Sequence, residues 1–246
     1  MLKSFSWAWM DVKCRYRRSL IGPLWETLTL LFLIGGMGFI SSAVFDANMA
    51  TVIPYLGLGL IIWTLISNVV NESTMCFISQ KEMLDNTNLG LGFYSGRLIF
   101  RHLINFGHHM LLYFIGLYFF EIDLGLAIFL APLGLLFLFL NFCWLVPTIG
   151  MLVARFRDLE MVVKSGMHLT FFITPIFWNI SVLNGNRLFL VEWNPIYYLI
   201  ELLRAPLLGD TSAMGHYFVV INIFLSGILL FYFVHKKIRY RLAFYL

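Results

Sequence analysis

Arg15-Tyr16-Arg17-Arg18-Ser19-Leu20-Ile21-Gly22-Pro23-Leu24-Trp25 divides the chain into two kinds of sequence. To its left lies a short basic segment; to its right the residues turn apolar enough to enter a bilayer. The left-hand segment sets Leu2, Phe5, Trp9, Val12 and Tyr16 at steps of three and four, the spacing of one helix face. Lys3, Ser6, Lys13 and Arg17 fall elsewhere around that helix. An aromatic, apolar stripe with a basic flank suits a helix lying in the membrane interface, or one packed on its own protein. The two readings are compatible.

Beyond Trp25 the composition belongs to a membrane protein. The chain is 60% hydrophobic and 12% charged, against about 25% charged in a soluble domain, too few charges to cover a water-facing surface. The apolar runs are about twice the ~10 residues of a membrane strand, so the spans are helices. We read an all-α membrane protein with six transmembrane helices, at Leu24–Val44, Val52–Val70, Leu98–Phe120, Gly125–Val153, Met161–Ile180 and Tyr217–Val234. Residues 1–246 form one transmembrane domain: an interface helix in 1–23, five spans in 24–180, an outer segment in 181–216, and the last span with its tail in 217–246.

Local signals refine that outline. Gly35, Gly36 and Gly38 make a small-residue patch where another helix can approach. Pro132 and Pro147 predict kinks in the fourth span, and Thr174-Pro175 a bend in the fifth. Asp46-Ala47-Asn48, Glu121-Ile122-Asp123 and Asn184-Gly185-Asn186 read as turns. Asn194-Pro195 is an N-cap followed by a proline at the first helical position. Ile196, Leu199, Ile200 and Leu203 line one face of the helix it opens, Glu201 and Arg204 lie off it, and Pro206 and Gly209 close it. That helix is too short to span; it should lie at the surface or dip partway in.

Charge sets the orientation. Lys3, Lys13, Arg15, Arg17, Arg18, Lys81, Arg97, Arg101, Arg155, Arg157, Lys164, Lys236, Lys237, Arg239 and Arg241 fall on one side of a six-span topology. Of the 17 Lys and Arg residues only Arg187 and Arg204 fall on the other. The positive-inside rule then puts both termini in the cytoplasm. With the basic residues beside the spans, the net charge of +4 points to anionic lipid rather than nucleic acid. Cys14, Cys76 and Cys143 form no disulfide framework or metal pattern. The first apolar run is too long for a signal-peptide core and lacks a small-x-small cleavage site.

The chemistry-bearing motifs are mostly missing. The chain has no GxxxxGK[ST] phosphate loop, no G-x-S-x-G elbow and no H-E-x-x-H. ATP hydrolysis would have to come from another polypeptide, and the expectation is a non-enzyme without a cofactor or metal of its own. The histidines offer one alternative. His102, His108 and His109 sit in the third span and His168 at similar depth in the fifth, so a haem-binding or acyl-transferring membrane enzyme is a remote reading. His102 and His109 are about 10 Å apart along a helix, too far to share one metal ion; a polar interhelical face with Asn105 is the simpler role. Glu26, Asp46, Glu72, Glu121, Asp123, Asp158 and Glu160 sit at span ends, which argues against ion coupling through deep carboxylates. Phe171, Phe172, Phe177 and Trp178 crowd one helix, either as lipid-facing bulk or as a smooth aromatic lining for sugar rings.

Four motifs in register carry a family resemblance. The stretch Arg15 to Trp25 resembles the pre-span signature of the membrane subunits of bacterial ABC exporters for O-antigen, capsular polysaccharide and teichoic acid. Arg155-Phe156-Arg157-Asp158-Leu159 resembles their hairpin between the fourth and fifth spans. Thr174-Pro175-Ile176-Phe177-Trp178 is similar to the end of their fifth span, and Trp193-Asn194-Pro195 to the segment before their last outer helix. Many relatives carry a proline after the leucine that Leu89 matches; Gly90 stands there instead, which leaves the start of the third span least fixed.

The resemblance implies a permease in the bacterial inner membrane that exports lipid-linked polysaccharide, O-antigen first, with capsule, teichoic acid, or a drug or lipid as alternatives. It implies a homodimer, two separate ATPase subunits carrying ATP and Mg, and a glycan on an undecaprenyl-diphosphate carrier. On it rest the site expectations. Arg15, Arg17 and Arg18 would hold the lipid diphosphate, and Trp25, Phe171, Phe172, Phe177 and Trp178 would line the conduit. Trp193, Tyr197 and Tyr198 would form the outer gate. Gln80, Lys81, Glu82, Asp85, Arg155, Arg157 and Asp158 would couple to the ATPase.

Overall fold

The computed structural model describes residues 1–45, 48–120, 122, 124–178, 180, 189–211 and 214–246. The turn at Asn184-Gly185-Asn186, much of the other two acidic turns, and Arg187 lie outside the described residues. The elements, in order, are α1 (Leu2–Arg15), α2 (Leu24–Phe45), α3 (Met49–Ser73), α4 (Lys81–Asn86), α5 (Leu91–Phe120), α6 (Ala131–Arg155), α7 (Leu159–Ile173), α8 (Phe189–Glu192), α9 (Pro195–Leu207), α10 (Met214–Ile238) and α11 (Leu242–Tyr245). Short 3-10 turns precede α4, α6 and α11. No strand occurs among the described residues.

The bundle is built around α3. It is apolar on all sides, and an unbroken run from Leu56 to Trp63 is buried, as expected of a helix surrounded by others. It packs on α2, α5, α6, α7 and α9. In a bilayer the contacts between helices gain little from the hydrophobic effect, so close packing over small residues holds them. Gly134 of α6 is one such site: a Cβ there would overlap the backbone carbonyl of Leu202 in α9. Gly227 of α10 is another, pressed against the indole of Trp144 in α6. Of the predicted glycine patch on α2, only Gly38 works this way, facing Ile53; Gly35 and Gly36 look onto open space.

Among the described residues, five helical segments are long and apolar enough to cross a membrane: Leu24–Ala43, Met49–Ser73, Leu91–Phe120, Gly125–Arg155 and Gly215–Arg241. The fifth predicted span differs from expectation. Instead of a bent 20-residue helix, α7 has 15 residues, about 22 Å at ~1.5 Å per residue, and ends at Thr174. Proline disfavours the helical conformation in the residue before it, and Thr174 is extended at ψ 133. Pro132 also differs: it occupies the first turn of α6, where a proline needs no kink. The third predicted span starts earlier than its hydropathy suggests. Gly90 accepts from the amide of Phe93 at 2.8 Å, and α5 runs from Leu91 through Arg97 and Arg101, whose charges find partners on α1 and α3.

The two proposed roles of α1 fall on different faces. Ser4, Ala8 and Val12 are buried against α5, with Ser4 over Gly96, while Leu2, Phe5, Trp7 and Trp9 remain exposed. Asp11 binds Arg97 of α5 through both carboxylate oxygens at 2.6 Å. At the other terminus, Tyr245 of α11 packs on Arg155 and accepts from Arg157 through its carbonyl at 3.2 Å. Both termini therefore sit at the end of the bundle where α3 finishes and α5 begins.

Candidate functional site

The hinge between α1 and α2 is a compact turn. Gly22 has φ +63, a conformation that side chains disfavour, and its amide donates to Ser19 Oγ at 3.0 Å. The turn brings Tyr16 back over the start of α2, where its hydroxyl donates to Glu26 Oε1 at 2.6 Å. Burial first, and then the Glu26 carboxylate, push the Tyr16 phenol up to about 12.

Two carboxylates organise this end of the bundle. Glu26 also accepts from Asn105 Nδ2 at 3.2 Å and lies 4.0 Å from His109 Nε2 and from Arg15 Nη1. Glu72 pairs with Arg101, lies 3.2 Å from His102 Nε2 and 3.7 Å from Arg15 Nη2. Arg15 thus bridges the two acids and ties α1 to α2 and α3. His102, Asn105 and His109, at steps of three and four on α5, form the polar interhelical face expected of them, each turned to a carboxylate. His168 is exposed on α7, away from that face. Among the described residues no group of His, Cys, Asp and Glu is arranged to hold a metal ion. The organising acids escaped the sequence reading because each sits at a span end, where a charge looks merely solvated; His102, Asn105 and His109 on one helix face were the available signal.

The three arginines of the hinge differ. Arg15 belongs to this network, whereas the side chains of Arg17 and Arg18 are exposed and make no ion pair among the described residues.

At the opposite end of α3, the break after α7 is held by a second polar cluster. Arg204 of α9 is 0% exposed. Its Nη1 donates to the Pro175 carbonyl at 2.7 Å, Nη2 pairs with Glu201, and its guanidinium carbon lies 3.9 Å from the centre of the Tyr55 ring. Tyr55 Oη also donates to the Pro175 carbonyl, at 3.3 Å. Asn194 caps α9 by accepting from Ile196 N at 3.0 Å and donates to Thr174 Oγ1 at 2.7 Å. The charge count set Arg204 in an outer aqueous compartment; instead α9 dips into the bundle and buries it. Glu201 three residues earlier, in an otherwise apolar helix, was the signal for such a pair.

The aromatic residues assemble in part. Phe171, Phe172 and Phe177 lie within 6.5 Å of one another around the broken end of α7, with Trp63 of α3 5.4 Å from Phe171. Trp178 joins them by donating its indole N–H to the Phe172 carbonyl at 3.4 Å. Trp25 stands apart at the start of α2, 61% exposed. Tyr197 and Tyr198 pack on each other and on His216, while Trp193 points away, 85% exposed. Lys81, Glu82 and Asp85 are exposed on α4; Gln80, half-buried, accepts from Arg97 at 3.2 Å. Arg155, at the end of α6, and Arg157 and Asp158, between α6 and α7, are exposed. The C-terminal residues lie between these two charged elements, so both belong to the terminus-bearing end.

Comparison with known proteins gives a family for most of the chain. Residues 5–208 match the ABC-2 type transporter model. The chain is also similar to the O-antigen export system permease protein RfbA of Klebsiella pneumoniae, 24% identical over 252 residues that cover 95% of this chain and 90% of that protein. From the hinge to the end of α9, the chain belongs to the ABC-2 type transporter family, as a multi-pass inner-membrane transport subunit.

Proposed function

We propose that this chain is the transmembrane subunit of an ATP-driven exporter that carries an undecaprenyl-diphosphate-linked polysaccharide, of the O-antigen type, out of the cytoplasm. Two copies pair, and two ATPase subunits supply ATP and Mg. The observation that carries the reading is the cluster of Phe171, Phe172, Phe177 and Trp178 at the broken end of α7. Flat apolar rings let sugars slide past without fixing them. The near full-length likeness to an O-antigen permease supports the same substrate class. The outward faces of α2 and α7 are uncovered and carry no charged residue between Thr27 and Phe45 or between Ser165 and Ile173. In a pair of copies these faces would enclose the conduit, with Trp25 at its start.

The same reading extends to the remaining residues. Arg17 and Arg18, exposed beside the first span, capture the diphosphate, because guanidinium groups bind phosphate oxygens in paired hydrogen bonds; Arg15 holds the hinge in place. Tyr197 and Tyr198 shape the outer gate, with Trp193 projecting beyond them. Gln80, Lys81, Glu82 and Asp85 meet the ATPase together with Arg155, Arg157 and Asp158. The count of Lys and Arg supports a cytoplasmic position for this end.

The test is surface glycan display in cells that carry Arg17→Gln with Arg18→Gln, beside Arg15→Gln. The double variant should insert normally, retain its ATPase and lose glycan export. Full export by the double variant would overturn the diphosphate role.

A further inference from the structure

A groove of about 830 Å³ runs between α1, the start of α5, α6 and the end of α10, away from the aromatic cluster and the hinge. Its floor is apolar, formed by Ile99, Phe100, Phe139 and Phe231. Its rim carries Lys3 and Arg239, and no carboxylate lines it. Neither cation makes an ion pair among the described residues. That separates this groove from the cleft on the other side of α5, where Arg97, Arg101 and Lys164 each face an acid. His235 also lines the groove, and its buried Nδ1 has no hydrogen-bond partner.

The position fixes the kind of occupant. The outer face of α10 is exposed and apolar from Phe218 through Leu225 and Leu229 to Phe233, then ends at Lys236 and Lys237. That change marks the boundary between hydrocarbon and headgroups. The groove opens at this level, with rings below and unpaired cations above. We propose that it binds an anionic phospholipid of the surrounding bilayer, acyl chain against the rings and phosphate between Lys3 and Arg239. Basic pockets between membrane helices are suited to such headgroups. The site is separate from the proposed export path and does not depend on it.

Native mass spectrometry of the purified full-length chain, titrated with phosphatidylglycerol and phosphatidylcholine of equal acyl length, tests this. The chain should retain phosphatidylglycerol preferentially. Lys3→Ser with Arg239→Gln should weaken that lipid by about five-fold per charge removed and leave phosphatidylcholine unchanged. Gly92→Leu should weaken both lipids, since Gly92 lines the groove and a Cβ there meets no atom within 4 Å. Equal retention of the two lipids, or an unchanged preference in the charge variant, overturns the proposal. Displacement of phosphatidylglycerol by a polyprenyl diphosphate would also overturn it, by giving the groove to the transported lipid. The charge variant changes only exposed side chains, so it is informative even if Gly92→Leu does not fold.

Discussion

The two polar clusters on α3 solve the same problem in opposite ways. Tyr55 and Glu72 lie about 25 Å apart along the helix at ~1.5 Å per residue. Around Glu72 and Glu26, two acids share Arg15, Arg101, His102, His109, Asn105 and Tyr16, and the acids and Arg15 remain more than a third exposed. Around Tyr55, one fully buried arginine serves a broken helix end. Water and redundancy make the first cluster tolerant; dryness and a single cation make the second brittle. The chain is therefore built to yield where α1 meets the bundle and to stay fixed where α7 stops.

Removing Arg204 should have the largest effect. Arg204→Met strands the mostly buried Glu201 and one acceptor on Pro175, a loss of up to about 3–5 kcal/mol for a broken buried pair, read as a fall in the melting temperature of the detergent-solubilised chain. Adding Glu201→Leu should recover part of it, and Arg204→Lys should not, because an ammonium lacks the planar fork that reaches Pro175 and Glu201 while stacking on Tyr55. Gly134→Ala comes next. Its methyl group meets the Leu202 carbonyl and should cost about 1–3 kcal/mol as overpacking, pushing α9 and its arginine out of register.

Asn194→Ala removes a cap and the tie to Thr174, for about 0.5–2 kcal/mol. Glu72→Gln, by contrast, should cost at most about 1 kcal/mol, as for pairs open to solvent; its effect should shrink with added salt while that of Arg204→Met does not. A loss for Glu72→Gln equal to that of Arg204→Met would erase the distinction between the clusters. The smallest effect concerns pH. Tyr16 keeps its proton to about 12 in the folded chain, above the ~10 of an exposed phenol. Its contribution is complete below pH ~10 and is lost as the pH rises toward 12, so the stability of Tyr16→Phe should fall less over that window.

Much of the fold was legible because hydropathy and charge act over whole segments. Five of the six predicted spans appear as long helices, α1 occurs where the pattern placed it, and Asn194 caps α9 as its sequence signalled. What escaped depends on contacts across the bundle. The length of α7 is set by one proline whose own carbonyl finds Arg204, 29 residues later. The start of α5 is set by arginines that find Asp11 and Glu72. The burial of α9 is set by Gly134, which neither periodicity nor composition distinguishes from other glycines. The aromatic residues of one short stretch could be expected to cluster; Trp25, far in sequence from its assigned partners, could not, and Trp193, only four residues before Tyr197, is parted from it by the start of α9.

The brevity of α7 bears on the membrane itself. In a copy not paired with another, the exposed face of α7, including Met161, Val162, Leu169 and Phe172, offers lipid a helix of about 22 Å against a hydrocarbon layer of ~30 Å. Acyl chains beside it must shorten or splay to meet it, at a cost of fractions of a kcal/mol per Å of mismatch. Wherever this face meets lipid, the protein carries a built-in gauge of bilayer thickness: short-chain lipids relieve the mismatch and long-chain lipids load it.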